Sequence, residues 1–291
     1  MLSWLWKTTG EPKRGQSSRN RIRPFLESLE DRYCPSGLQI TQFTAMVQQG
    51  QTVFLAGTVT DSNPASVSLS FSGVASGSVT ANSNGQFQLQ TQASALGTIT
   101  AQGTDGDGVT NNAQATISVP APAFSNLVVT QSGPNRQIRV GGQVSSGANL
   151  TVTLSGIVSG SVTTGTNGTF SFTGTASNTG QVNVSVADVW GQTGTGAAQL
   201  ANKAPTITNF TAVNTGYDNI WIFQGQVNDE WAPGETVTLS GLVPLQGVTV
   251  TVGNDGWFHY QVQLGPTDIG LVTASVTDWF GAIGQGQVSV S

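Results

Sequence analysis

Few side chains in this 291-residue chain are able to do chemistry, and their spacing limits them further. One histidine and one cysteine leave imidazole relays, thiol nucleophiles, zinc sites and disulfide frameworks almost without material. His259 lies in Trp257-Phe258-His259-Tyr260. A strand that turns Phe258 and Tyr260 inward turns His259 to solvent, and no acid or nucleophile is placed against it as a catalytic pair requires. No catalytic residue is assigned, and the chain is not expected to be an enzyme. Asp105-Gly106-Asp107-Gly108, followed by Asn111 and Asn112, puts two carboxylates on a glycine-rich loop, an oxygen-rich setting that suits a hard cation. Calcium at Asp105 and Asp107 is the one cofactor this pattern admits. The competing role for Asp105 is to close a turn by accepting from the turn's own amides.

Aromatic rings offer a second chemistry. Trp221, Phe223, Phe258 and Tyr260 share the inward phase of their strands, whereas Trp231, Trp257, Trp279 and Phe280 fall on loops or outward positions. Trp257, Trp279 and Phe280 are therefore the candidate platform for a sugar ring or a protein partner. The alternative is that they cover the end of a domain and its joint with the one before, and Trp190, at the equivalent turn of the preceding unit, favours that version.

What must position these residues is a repeated unit. Gly57-Thr58-Val59 recurs as Gly142-Gln143-Val144 and Gly225-Gln226-Val227, and Ser72-Gly73 as Ser155-Gly156 and Ser240-Gly241. Asn84-Gly85 recurs as Asn167-Gly168 and Asp255-Gly256, and Asp105…Gly108 as Asp188…Gly191 and Asp278…Gly281. Four anchors in one order make three tandem copies. Within a copy the apolar period is two, as in Ile138-x-Val140-x-Gly142-x-Val144, with Thr, Ser, Gln and Asn on the other face. Short strands of this kind, bounded by Gly, Asn and Asp, predict a β-sandwich. The Asn-Gly and Asp-Gly pairs predict tight hairpins, and Ala121-Pro122 and Lys203-Ala204-Pro205 predict joints.

Residues 1–36 are a different polymer. They carry seven of the ten basic residues and four acids, a net of +3, whereas residues 37–291 carry three basic and eleven acidic residues, a net of −8. Met1-Leu2-Ser3-Trp4-Leu5-Trp6 stops at Lys7, which is too short and in the wrong order for an ordinary secretory signal. Pro24 to Asp31 suits one or two helical turns. The competing use of such a basic tail is contact with phosphate or anionic lipid, which Glu27, Glu30 and Asp31 oppose. No apolar run reaches the length of a membrane-spanning helix.

The stretch Arg21-Ile-Arg23-Pro-Phe-Leu-Glu27-Ser-Leu29-Glu30-Asp31-Arg32-Tyr33-Cys34-Pro35-Ser36 resembles the N-terminal motif of large planctomycete surface proteins. That resemblance implies a sorting role for Arg21, Arg23, Glu27, Leu29, Glu30, Asp31, Arg32 and Pro35, and export to the cell exterior. The remainder is similar to bacterial immunoglobulin-like and cadherin-like repeats, without the cysteine pair of antibody domains. The expectation is all-β: a basic tail (1–36) followed by immunoglobulin-like sandwiches at 37–120, 121–204 and 205–291, a rod roughly 100 Å long. It would act outside the cell as a structural or adhesive module, with other surface proteins or polysaccharide as partners, no nucleic acid and no transmembrane span. Carbohydrate binding by the aromatics of the third repeat is the alternative.

Overall fold

Alternating Val, Ile, Leu and Phe against Thr, Ser, Gln and Asn produce strands with one wet and one dry face. The computed structural model describes residues 37–145 and 147–291; the tail, with the expected sorting motif and the expected helical turn, lies outside the described residues. The first repeat contains β1 (Gln39–Val47), β2 (Thr52–Thr60), β3 (Ser68–Gly73), β4 (Gly77–Thr80), β5 (Gln86–Gln92), β6 (Gly97–Thr104) and β7 (Thr110–Ile117). The second contains β8 (Phe124–Gln131), β9 (Gln137–Val144), β10 (Thr151–Gly156), β11 (Gly160–Thr163), β12 (Thr169–Thr175), β13 (Gly180–Ala187) and β14 (Thr193–Leu200). The third contains β15 (Thr206–Asn214), β16 (Ile220–Asn228), β17 (Thr236–Ser240), β18 (Val248–Thr251), β19 (Trp257–Gln263), β20 (Gly270–Thr277) and β21 (Ile283–Val290).

Each repeat folds its seven strands into two antiparallel sheets. In the first, β1-β2-β5 form one sheet and β4-β3-β6-β7 the other, and the second and third repeats copy this order. The immunoglobulin-like sandwich is therefore present three times. Its fourth strand pairs with the third, unlike the antibody constant-type arrangement, in which it joins the sheet of the first two.

That placement corrects the hairpin expectation for the Asn-Gly and Asp-Gly pairs. Strands β4 and β5 lie in opposite sheets, so Asn84-Gly85 carries the chain across the sandwich. The turn is still closed, by the Gly85 amide to the Asn82 carbonyl at 2.9 Å and the Asn82 amide to the Gln86 carbonyl at 2.9 Å. Gly85 has φ +75°, and a Cβ there would strike the Val59 carbonyl oxygen, so only glycine fits. By contrast, the Asp-x-x-Gly segments join hydrogen-bonded strands: Asp105 lies between β6 and β7, paired from Thr104↔Thr110 outward.

The first strand of every repeat carries a β-bulge that the apolar alternation does not announce, with register shifts at Thr41/Thr44, Ser125/Val128 and Thr208/Thr211. Gln42, Asn126 and Asn209 have φ near +50° there. The extra residue re-aims the side chains beyond it, and Phe43, Leu127 and Phe210 pack against their repeats' cores.

Each repeat has its own core. Val53, Leu55, Leu69, Phe87 and Ile99 lie at the centre of the first; Ile138, Val140, Val152, Leu154 and Val184 at that of the second; Phe223, Val237, Leu239, Phe258 and Val272 at that of the third. Each such side chain contributes about 1.5–3 kcal/mol on burial. Among the described residues, the helical pieces are two 3-10 turns, Pro64–Ser66 and Val243–Leu245. No helix there is long and apolar enough to cross a membrane.

Candidate functional site: the joints between repeats

The Asp-x-x-Gly turn is the same machine in all three copies. Asp105 Oδ1 accepts from the amides of Asp107 and Val109 at 2.9 and 2.8 Å. Asp188 Oδ1 accepts from Trp190 and Gln192, both at 2.9 Å, and Asp278 Oδ1 accepts from Phe280 and Ala282 at 2.9 and 2.8 Å. The glycine that ends each turn has positive φ, +83°, +78° and +93°. The carboxylate thus holds the two residues between it and the glycine in one fixed presentation.

What is presented differs. Trp190 packs against the core of the first repeat, and Phe280, at the same turn position, packs against the core of the second. A tip of the second sandwich and one of the third each reach back onto the sandwich before. Around Trp190 lies a cleft of about 650 Å³ lined by Gln49, Gly50, Val119, Pro120 and Leu150 among others. Gln51 Nε2 donates to the Val189 carbonyl at 3.2 Å, and Gln192 Nε2 donates to the Val119 carbonyl in the linker at 3.1 Å. At the second joint, linker residue Asn202 donates through Nδ2 to Asp278 Oδ2.

The linkers land on glycine. A Cβ on Gly194 would collide with the Pro122 carbonyl oxygen, and one on Gly284 with that of Pro205. These glycines let the start of each later repeat lie against its own last strand.

The second joint adds acids. Glu235 is 2% exposed, and neither carboxylate oxygen has a hydrogen-bond partner; Asp229 Oδ1, Asn202 Oδ1 and Ser132 Oγ are also buried without one. Burial pushes the Glu235 carboxyl up to about 9, and the neighbouring charges of Asp229, Asp278 and Glu230 push the same way. Glu230 is raised too, first by desolvation and then by Asp229. At neutral pH the folded chain therefore favours the protonated form of Glu235. No group of three or more His, Cys, Asp or Glu among the described residues is arranged to hold a metal ion.

Sequence reasoning passed over Glu235, although the repeat holds a signal for it. Counting back from Ser72-Gly73, Ser155-Gly156 and Ser240-Gly241, the residue two before the first buried strand position is Val67, Leu150 and Glu235. Val67 and Leu150 are buried at 0% and 9% exposure. A glutamate occupies a core position of the repeat.

The residues singled out in the sequence do not meet in one site. Asp105 serves its turn, and Asp107 is exposed beside it. Trp279 Nε1 donates to the Trp231 carbonyl at 3.0 Å, and its ring lies over Gly234, within its own repeat. Phe280 is engaged at the joint. Trp257 is half-buried and stacks on exposed His259, with ring centroids 6.1 Å apart and planes 14° from parallel. The three rings of the expected platform have three different settings, and in two of them the ring is taken up in packing. Inward phase holds for Trp221, Phe223, Phe258 and Tyr260, which all belong to or pack on the third core.

No family model matches the chain, and no curated protein does. Solved structures similar to it include a tetra-tandem repeat from the extending region of a large adhesion protein, at 21% identity, covering 87% of this chain and 75% of that one, TM-score 0.31. Invasin, a bacterial integrin-binding protein, matches at 12% identity over 87% of this chain and 59% of its own, TM-score 0.35. A putative membrane-anchored protein from Corynebacterium diphtheriae matches at 9% identity over 87% and 89%, TM-score 0.29.

Proposed function

We propose that this chain is a non-enzymatic structural or adhesive module of the cell exterior, an array that holds three sandwiches in line and displays their polar faces. The observation that carries this reading is the joint, built twice from the same parts: an Asp-closed turn, an aromatic laid on the preceding core and a side-chain amide tying turn to linker. Such a device fixes one domain against the next and leaves the outer strand faces to Thr, Ser and Gln. Low charge, 9% of residues, suits a spacer that stays soluble without steering ions. Export would be directed by the residue 21–36 motif, and contact with surface proteins or polysaccharide would be weak and multivalent.

Small-angle scattering of the full chain tests this. An elongated particle is expected, becoming more flexible in the Trp190→Ser, Phe280→Ser double variant; one compact globule in the unsubstituted protein overturns the reading. Polysaccharide binding at the third repeat would rest on Trp257, and its test is a fluorescence titration lost on Trp257→Ala.

A further inference from the structure

The end of each sandwich that receives an aromatic is marked by the same loops. In the third repeat these are the loop 215–219, the turn 241–247 and the loop 264–270. They are held at one end by the Leu264 amide to the Asn219 carbonyl at 3.0 Å and by Gln263 Nε2 to the Asp218 carbonyl at 2.8 Å. Gly241 lies against the Leu271 carbonyl. Trp190 packs on the core of the first repeat, in one cleft with its loop residues Gln49 and Gly50, and Phe280 packs on the core of the second. At the third, Tyr217 is 78% exposed, Val243 88%, Ile269 65% and Leu271 49%. These are four of the ten exposed large apolar side chains among the described residues, and they sit on or beside one tip. At the first repeat the same tip has Gly50 at its first loop and half-buried Leu96 at its last.

We propose that this tip of the third repeat is a docking surface for another immunoglobulin-like sandwich, one presenting an aromatic residue just before the glycine of an Asp-x-x-Gly turn. The chemistry of the occupant is read from the two occupied joints, where Trp190 and Phe280 are that aromatic. A second copy of this chain does not supply it: Trp190 and Phe280 are engaged internally, and the first repeat has exposed Asp107 at the equivalent position. The proposal rests on the reading of the chain as an array and adds the kind of partner that continues it.

Full-length chain carrying Gly106→Val and Asp107→Trp gives the first repeat the Asp-Val-Trp-Gly turn of the second, so each molecule bears both a plug and an open tip. Sedimentation up to on the order of millimolar chain, where an untethered copy of a joint should begin to form, is expected to show mass rising from one chain towards two or more. The unsubstituted chain is expected to stay at one. Adding Tyr217→Ser and Ile269→Ser, both at exposed sites, is expected to return the double variant to a single chain. Three outcomes overturn the proposal: no association of the double variant, association that survives the Tyr217 and Ile269 changes, or tip-to-tip dimerisation of the unsubstituted chain that those changes abolish. The frictional ratio from the same runs reports elongation separately, so a failed array reading is distinguishable from a failed docking surface.

Discussion

The second and third repeats place different chemistry at one and the same core position. Leu150 is apolar, and its amide donates to Thr164 Oγ1 at 2.9 Å. Glu235 is as well buried, its backbone is held by the Val252 amide to its carbonyl at 2.8 Å, and yet its side chain ends in two oxygens with no partner. The backbone of the sandwich accepts either residue. The difference lies in what each repeat does as pH changes, because only Glu235 binds a proton more tightly in the folded chain than in the unfolded one.

The largest expected effect comes from this contrast. Glu235 goes from an ordinary carboxyl at 4.5 in the unfolded chain to about 9 in the folded one. Between those values the folded state binds the extra proton, so the third repeat loses stability as pH rises from about 4.5 towards 9, and the full contribution is present only below 4.5. Glu235→Leu, which installs the residue of the second repeat, should remove the Glu235 part of that slope and stabilise the third repeat at pH 8 by about 1–3 kcal/mol, the cost of a buried polar group without a partner. Glu235→Gln, which has no proton to lose, should also flatten the profile. Chemical unfolding at pH 5 and pH 8, followed by the tryptophans of the third repeat, measures this. A third-repeat transition that strengthens between pH 5 and pH 8 would contradict the assignment of a neutral Glu235.

Where the repeats are alike, equal losses should result. Gly194→Ala and Gly284→Ala each push a methyl group into the carbonyl of the incoming linker, at Pro122 and Pro205. Each should destabilise its own repeat by about 2 kcal/mol, the range for overpacking. Unequal losses in the two unfolding transitions would mean that the two linkers do not land in the same way.

The sandwich was legible because alternation of apolar side chains is written in the same register three times. Ile138 and Val140, and Leu150, Val152 and Leu154, are all buried. The turns were half legible. Asp105, Asp188 and Asp278 announce their role by type and by the glycine three residues on. Asn84-Gly85 announces positive φ but not which strands it joins, since sheet membership depends on pairing between segments distant in the chain. The bulges were illegible at Gln42, a residue with no special liking for left-handed backbone, although Asn126 and Asn209 were a hint. At the joints, Trp190 showed by its place in the turn that packing was at stake. Asn202 showed nothing, because its partner Asp278 is 76 residues away.

That bond and its counterpart supply the smallest effect and the finest comparison of the two joints. Asn202 gives its amide hydrogen to a carboxylate that also organises the turn, whereas Gln192 gives its own to a linker carbonyl and to Asp188 Oδ2 at 3.2 Å. Hydrogen bonds to charged groups are the stronger kind, but Gln192 makes two contacts from within the turn itself. Asn202→Ala and Gln192→Ala should each cost about 1 kcal/mol of joint stability, with little change in the cores they flank. Hydrogen exchange at the Phe280 and Trp190 amides reads the two joints separately: each substitution should speed exchange in its own turn and leave the other as it was. If Gln192→Ala also loosened the Phe280 turn, the joints would be coupled through the second repeat, and treating them as two independent copies of one device would be wrong.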